Sequence, residues 1–237
     1  MATNFLTQMG NFKEVNETNP LSTSDKLIVI EGPIGVGKTS LVRMLCDRWK
    51  AAPLFEVFEE NPFLTNGFYE DTPKFAFNTE IFFLLSRFRQ QQQLKDAKGL
   101  IISDYFFEKN AIFAEMNLDS KDLEIYKSVY DRFVPEVRQP DLIILLKADL
   151  ESLMRRIYFR DRRFERSISA SYLESLMNDY YHFFSSYTKA PVLTIPTAGL
   201  DFVNDPRDFN RTVSLIEDRI QGQVQLTLKT RIREAHA

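Results

Sequence analysis

Eight consecutive residues, Gly32, Pro33, Ile34, Gly35, Val36, Gly37, Lys38 and Thr39, have the types and spacing of a Walker A phosphate-binding loop. Its glycines let the backbone wrap closely enough for successive N–H groups to face phosphate oxygens, and the helix that follows aims its positive end at the same place. In such a loop Lys38 contacts the β- and γ-phosphates of ATP and the Thr39 hydroxyl ligates Mg²⁺. The apolar run Leu27–Ile30 before the loop supplies the strand that this motif requires. A phosphate loop alone does not separate a kinase from a nucleotide switch. Asp96-Ala97-Lys98-Gly99 matches the switch pattern DxxG only superficially, because it precedes a strand and no guanine motif follows.

Other charged residues point to group transfer. Arg155, Arg156, Arg160, Arg162, Arg163 and Arg166 cluster after an apolar run and suit a lid over transferring phosphates; the alternative is a solvated basic helix face. Glu56 ends a predicted strand, where a carboxylate accepts the proton of an attacking hydroxyl, with Glu59 and Glu60 as rivals. Glu80 and Arg87 lie seven residues apart, hence on one face of a helix at roughly 10 Å of axial separation, with Phe83 between them. Charges within such an apolar run must pair, reach water or face a ligand pocket.

These residues need a scaffold. Five short apolar runs, Lys26–Glu31, Leu54–Phe58, Leu100–Ser103, Asp141–Leu146 and Val192–Ile195, read as strands. They alternate with helical stretches at Lys38–Lys50, Lys74–Ala97, Phe106–Met116, Lys121–Val134, Leu150–Phe159, Ser169–Lys189 and Asp208–Gln221. The alternation predicts an α/β fold with a five-stranded parallel sheet flanked by helices. Gln90–Gln93 reads as a solvated polar tract. Residues 1–24 read as a flexible extension, 25–222 as one domain and 223–237 as a tail. Thirty basic against 33 acidic side chains argue against a broad nucleic-acid surface, so the expected partner is a small molecule. The single cysteine, the short apolar runs and an N-terminus without a signal pattern predict a cytoplasmic protein with no membrane segment.

The order of blocks resembles the deoxynucleoside kinase family, in particular its bacterial deoxyguanosine/deoxyadenosine kinase branch. The blocks are Ile30–Thr39, Glu60–Leu64 with Phe68-Tyr69, Phe77–Leu84, Ser103–Tyr105 with Lys109-Asn110 and Ile112–Ala114, and Arg156–Glu165 before Ser171–Glu174. The resemblance implies the P-loop kinase fold with an Arg-rich lid, a homodimer, and transfer of the γ-phosphate of ATP to a deoxynucleoside in nucleotide salvage. It further implies that Glu56 is the general base for the 5′-hydroxyl, that Tyr69 and Glu165 hold the 3′-hydroxyl, and that Arg156, Arg160 and Arg162 are lid arginines over ATP. Residues around Asp201–Asp205 resemble the loop covering the adenine.

Three departures stand out. Ser103-Asp104-Tyr105 lacks the arginine usual after the third strand, which leaves Asp104 to serve Mg²⁺ or its waters. The usual Gln of the base pocket is Glu80 and the usual Asp is Lys109. A carboxylate only accepts, which suits the adjacent N1–H and N2–H₂ donors of guanine, while O6 and N7 suit a cation such as Lys109 or Arg87. The expected acceptor is therefore a purine deoxynucleoside, deoxyguanosine preferred. A nucleoside monophosphate kinase would need cations near Glu56 and Tyr69, where acids and aromatics predominate.

Overall fold

The computed structural model describes residues 25–234; the predicted extension 1–24 lies outside them. Strand β1 (Leu27–Glu31), wholly buried, is the central strand, because a continuous apolar run can be covered on both faces. With β2 (Ala52–Leu54), β3 (Ile101–Ser103), β4 (Leu142–Lys147) and β5 (Val192–Pro196) it forms one parallel sheet in the order β2-β3-β1-β4-β5. Val29 is in register with Ser103 on one side and Ile143 on the other.

The second strand lies two residues earlier than expected. It is an edge strand paired only with β3, and Pro53 is tolerated there. Past Leu54 the ladder gives way to a side chain: Asp104 N donates to Leu54 O at 3.1 Å, and Glu56 N donates to Asp104 Oδ1 at 2.7 Å. Glu56 consequently stands just beyond the strand, in the loop at the C-terminal edge of the sheet.

Around the sheet run α1 (Lys38–Trp49), the short α2 (Pro62–Thr65), α3 (Thr72–Gln93), α4 (Lys109–Asn117), α5 (Ser120–Phe133), α6 (Leu150–Arg160), α7 (Ala170–Ser186) and α8 (Pro206–Glu234). Several starts are capped as the sequence allows: Asn61 accepts from Phe63 N and Leu64 N, Asp149 from Ser152 N and Ser169 from Tyr172 N. Trp49 is buried and its indole N–H donates to Glu217 Oε1 at 3.0 Å, which ties α1 to α8. The last helix continues to Glu234, through most of the segment expected as a tail; residues 221–234 hold no proline and mostly good helix formers. Nor is Gln90–Gln93 simply a solvated face. Gln90 and Gln91 are buried, and Gln90 Nε2 donates to Phe55 O at 2.9 Å, so this turn braces the loop that carries Glu56. No described helix is long and apolar enough to cross a membrane.

Ile144, fully buried at the centre of β4, tests the core. Ile144→Ala is expected to lower unfolding stability by roughly 2–5 kcal/mol, read as a lower denaturant midpoint with unchanged slope.

Candidate active site

A cleft of about 710 Å³ opens at the C-terminal edge of the sheet, where ligands meet open α/β folds. Four of the five strands deliver one part of it: β1 runs into the phosphate loop, β2 into Glu56, β3 into Asp104, and β4 into the helix that carries the arginines.

The phosphate loop is clasped by its own lysine. Lys38 Nζ donates to Gly32 O at 2.6 Å and Pro33 O at 3.1 Å. Burial, and then the charge of Lys109, lower its pKa to about 8 against the opposing pull of Glu31, Glu56 and Asp104. Gly35, at φ +84°, allows α6 to lie directly on the loop. A Cβ there would come within 2.8 Å of Ile157 Cγ1 and 3.0 Å of Leu153 O.

Glu56 faces the same cleft. Arg87 on α3 donates to its Oε1 from Nε at 2.7 Å and again from Nη2, and Lys109 Nζ reaches its Oε2 at 3.3 Å. Burial pushes the carboxyl up, but Arg87 first, then Lys109 and Lys38, overcome it and hold the pKa at about 2. Glu56 is therefore an oriented carboxylate at neutral pH. Arg87 is itself held by Asn110 Oδ1 and stacks over the Phe83 ring at 4.5 Å.

Thr39 Oγ1 donates to Asp104 Oδ2 at 2.6 Å, so a hydroxyl and a carboxylate, both hard oxygen donors, stand side by side at the start of α1. Burial raises the Asp104 pKa, with the Thr39 hydrogen bond working against it. Among the described residues no three His, Cys, Asp or Glu side chains cluster as a metal cage.

At the cleft mouth Glu165 is buried and accepts from Arg160 Nε at 3.0 Å, Arg160 Nη2 at 2.6 Å and Arg162 Nη1 at 3.4 Å. Arg162 also lies 4.1 Å over the Phe58 ring. Tyr69, edge-on to Phe68 and Tyr172, lines the cleft close enough to Glu165 for that charge to add to burial in raising its pKa.

Not every expected residue meets this arrangement. Glu59 and Glu60 are exposed turn residues and do not line the cleft. Of the six arginines only Arg160 and Arg162 line it; Arg166 pairs with Asp161, and Arg156 turns to backbone carbonyls behind the phosphate loop. Lys109, expected against a guanine edge, instead pairs with Glu56 and, at 3.8 Å, with Glu31. Lys109 also lines the cleft, so its ammonium stands between the two carboxylates at the cleft wall. Glu80, one turn before the cleft-lining Phe83 on α3, is buried with Oε1 accepting from Asn117 Nδ2 at 2.9 Å and Oε2 without a partner.

Three structurally important residues had no role in the sequence reading. Glu31 is fully buried and accepts from Gly32 N at 2.6 Å, Phe106 N at 3.1 Å and Tyr180 OH at 3.3 Å. Its signal was an acid closing an otherwise apolar strand. Asn110 and Asn117 gave none, because an Asn in a helix is usually solvent-facing.

A deoxynucleoside kinase family profile matches residues 28–221, and the chain belongs to that family. It is 38% identical over 201 residues to a deoxyguanosine kinase of Bacillus subtilis, covering 81% of this chain and 97% of the relative. A deoxyadenosine/deoxycytidine kinase of the same organism is 32% identical over 200 residues, covering 81% and 92%. Among solved structures, deoxyadenosine kinase from M. mycoides with bound dATP superimposes with a TM-score of 0.72 at 26% identity, covering 83% of this chain and 99% of the other. The fold is that of the P-loop kinases.

Burial raises the Glu80 pKa from 4.5 to about 7 against the opposing effects of Asn117 and Arg87. A raised carboxyl pKa contributes stability that is fully present below about pH 4.5 and lost as pH rises through about 7. The full loss is roughly 3 kcal/mol. Glu80→Gln is expected to remove it, so the variant's Tm should gain on the wild type between pH 5 and pH 8. Parallel pH profiles would show that Glu80 titrates normally.

Proposed function

We propose that the chain transfers the γ-phosphoryl group of ATP to the 5′-hydroxyl of a purine deoxynucleoside, with deoxyguanosine preferred. The observation that carries this is the meeting of Lys38, Thr39 and Asp104 with the Glu56 carboxylate in one cleft. Phosphoryl transfer through a loose transition state asks mainly for alignment and charge stabilisation, and the cleft offers both.

On this reading Gly32–Thr39 holds the phosphates and Glu56 accepts a hydrogen bond from the 5′-hydroxyl. The hydroxyl oxygen bonds to the γ-phosphorus, the bond from phosphorus to the β–γ bridging oxygen breaks, and ADP leaves. Glu56 takes the hydroxyl proton. With a pKa of about 2 it is a weak base, so the proton moves late and the carboxylate's main work is orientation. Thr39 and Asp104 fit Mg²⁺, which when bound neutralises charge on the β- and γ-phosphates. Tyr69 and Glu165 take the 3′-hydroxyl, and Arg160 and Arg162 turn from Glu165 toward the phosphates.

Two observations support guanine. The deoxyguanosine kinase relative is the more similar of the two Bacillus enzymes, at 38% against 32% identity. Glu80 Oε2 is a buried acceptor without a partner, which the N1–H or N2–H₂ of guanine would satisfy. Deoxyadenosine is the second reading, favoured by the raised Glu80 pKa: a protonated carboxyl offers one donor and one acceptor, as adenine requires.

A phosphorylation panel of the four deoxynucleosides with guanosine and adenosine, using Mg²⁺ and ATP, tests the reading. Deoxyguanosine is expected to have the highest kcat/KM and the ribonucleosides the lowest; no turnover of any deoxynucleoside would refute it. Glu56→Gln is expected to lower kcat by roughly 10²–10⁴ while the nucleoside KM changes little.

A further inference from the structure

Lys109 is a buried cation with donors to spare. It opens α4, is 3% exposed, and shares the lining of the cleft with Lys38, Thr39 and Glu56. Glu31 sets its position twice. Glu31 Oε1 accepts from Phe106 N at 3.1 Å, and Lys109 N donates in turn to Phe106 O at 3.2 Å, so the turn that carries the lysine is pinned to the strand before the phosphate loop. The same Oε1 stands 3.8 Å from Lys109 Nζ, a charge contact too long for a hydrogen bond. An ammonium has three donors. Among the described residues Nζ makes one hydrogen bond, to Glu56 Oε2 at 3.3 Å, which leaves two donors uncommitted.

The two oxygens of Glu56 are not equivalent. Arg87 Nε, at 2.7 Å, and Nη2 both donate to Oε1 and fill its two lone pairs, whereas among the described residues Oε2 receives only Lys109. A hydroxyl that bonds to Glu56 therefore goes to Oε2, the oxygen that already carries the ammonium. Two groups sharing one acceptor oxygen stand roughly 5 Å apart, and a flexible four-carbon stem lets the ammonium close part of that distance. Lys109 thus stands on the acceptor side as Lys38 stands on the donor side. The two charges already sense each other, since Lys109 is, after burial, the second cause of the lowered Lys38 pKa. A phosphoryl group between them would satisfy both.

We propose that Lys109 is a catalytic residue: its ammonium donates to an oxygen of the γ-phosphoryl group as that group moves from the β–γ bridging oxygen to the 5′-oxygen, and then holds the phosphate of the product. This rests on the proposed transfer from ATP to a 5′-hydroxyl. The lysine neither gains nor loses a proton. The new bond joins the 5′-oxygen to phosphorus, the hydroxyl proton passes to Glu56 Oε2, and ADP leaves with the electron pair of the broken bond. A charge that meets the phosphoryl group only in transit lowers the barrier and leaves substrate binding alone.

Lys109→Gln in the whole protein keeps a donor for Glu56 and removes the charge. With the deoxynucleoside that the wild type uses best, kcat is expected to fall by roughly 10²–10³ while the KM values for nucleoside and ATP stay within about threefold. Calorimetry gives a readout without turnover: the 5′-monophosphate of that nucleoside should bind the variant about tenfold more weakly, and the nucleoside itself within about threefold of the wild type. Lys109→Arg keeps the charge that Glu31 and Glu56 require and serves if Lys109→Gln does not fold. Its monophosphate affinity should stay within about threefold of the wild type while kcat falls about tenfold, because the planar fork places the charge differently. Equal weakening of nucleoside and monophosphate in Lys109→Gln would make the lysine a counter-ion only and overturn the proposal. So would a changed preference between deoxyguanosine and deoxyadenosine at wild-type kcat in either variant, which would put Lys109 against the base. A wild type that phosphorylates no deoxynucleoside would sink the proposed function itself, a result distinct from both.

Discussion

Six ionisable side chains crowd together at the edge of the sheet, and the site depends on their balance. Glu31, Glu56 and Asp104 face Lys38, Arg87 and Lys109, three acids against three bases. Burying any of these singly would be prohibitive, and removal of one partner would strand another. Held together, they fix one another: Lys109 lies between Glu31 and Glu56, and Arg87 between Glu56 and Asn110. The Glu56 carboxylate is therefore kept ionised and aimed, at the expense of its basicity. For a reaction limited by alignment, that exchange is favourable.

On the proposed reading a triphosphate brings further negative charge to this group of acids and bases. Arg160 and Arg162 stand at the mouth of the cleft on Glu165, whose carboxylate is the group proposed to take the sugar 3′-hydroxyl. In the proposed mechanism this ion-pair network links the donor and acceptor sides, with the arginines leaving Glu165 for phosphate.

Tyr105, just past β3, is buried with its hydroxyl unpartnered and contributes no charge to the site. The guanidinium that grips Glu56 comes from Arg87 on α3.

The chain's own order of residues decided the fold class and the donor half of the site. A Walker A loop works through local backbone geometry, and strand and helix periodicities are local too, so both were readable without neighbours. Glu56 was singled out from its place at a strand end, whereas Asp104 and Tyr69 came from the family resemblance; all three line the cleft. What the sequence could not decide was which charge pairs with which. Lys109 was assigned to a nucleobase, Arg156 to a phosphate and Gln90 to solvent, whereas they meet Glu56 and Glu31, backbone carbonyls, and Phe55. Those partners are 35 residues or more away along the chain. The preference of a long cationic side chain is decided by the nearest buried acceptor, and only the packed helices and sheet establish where that acceptor stands.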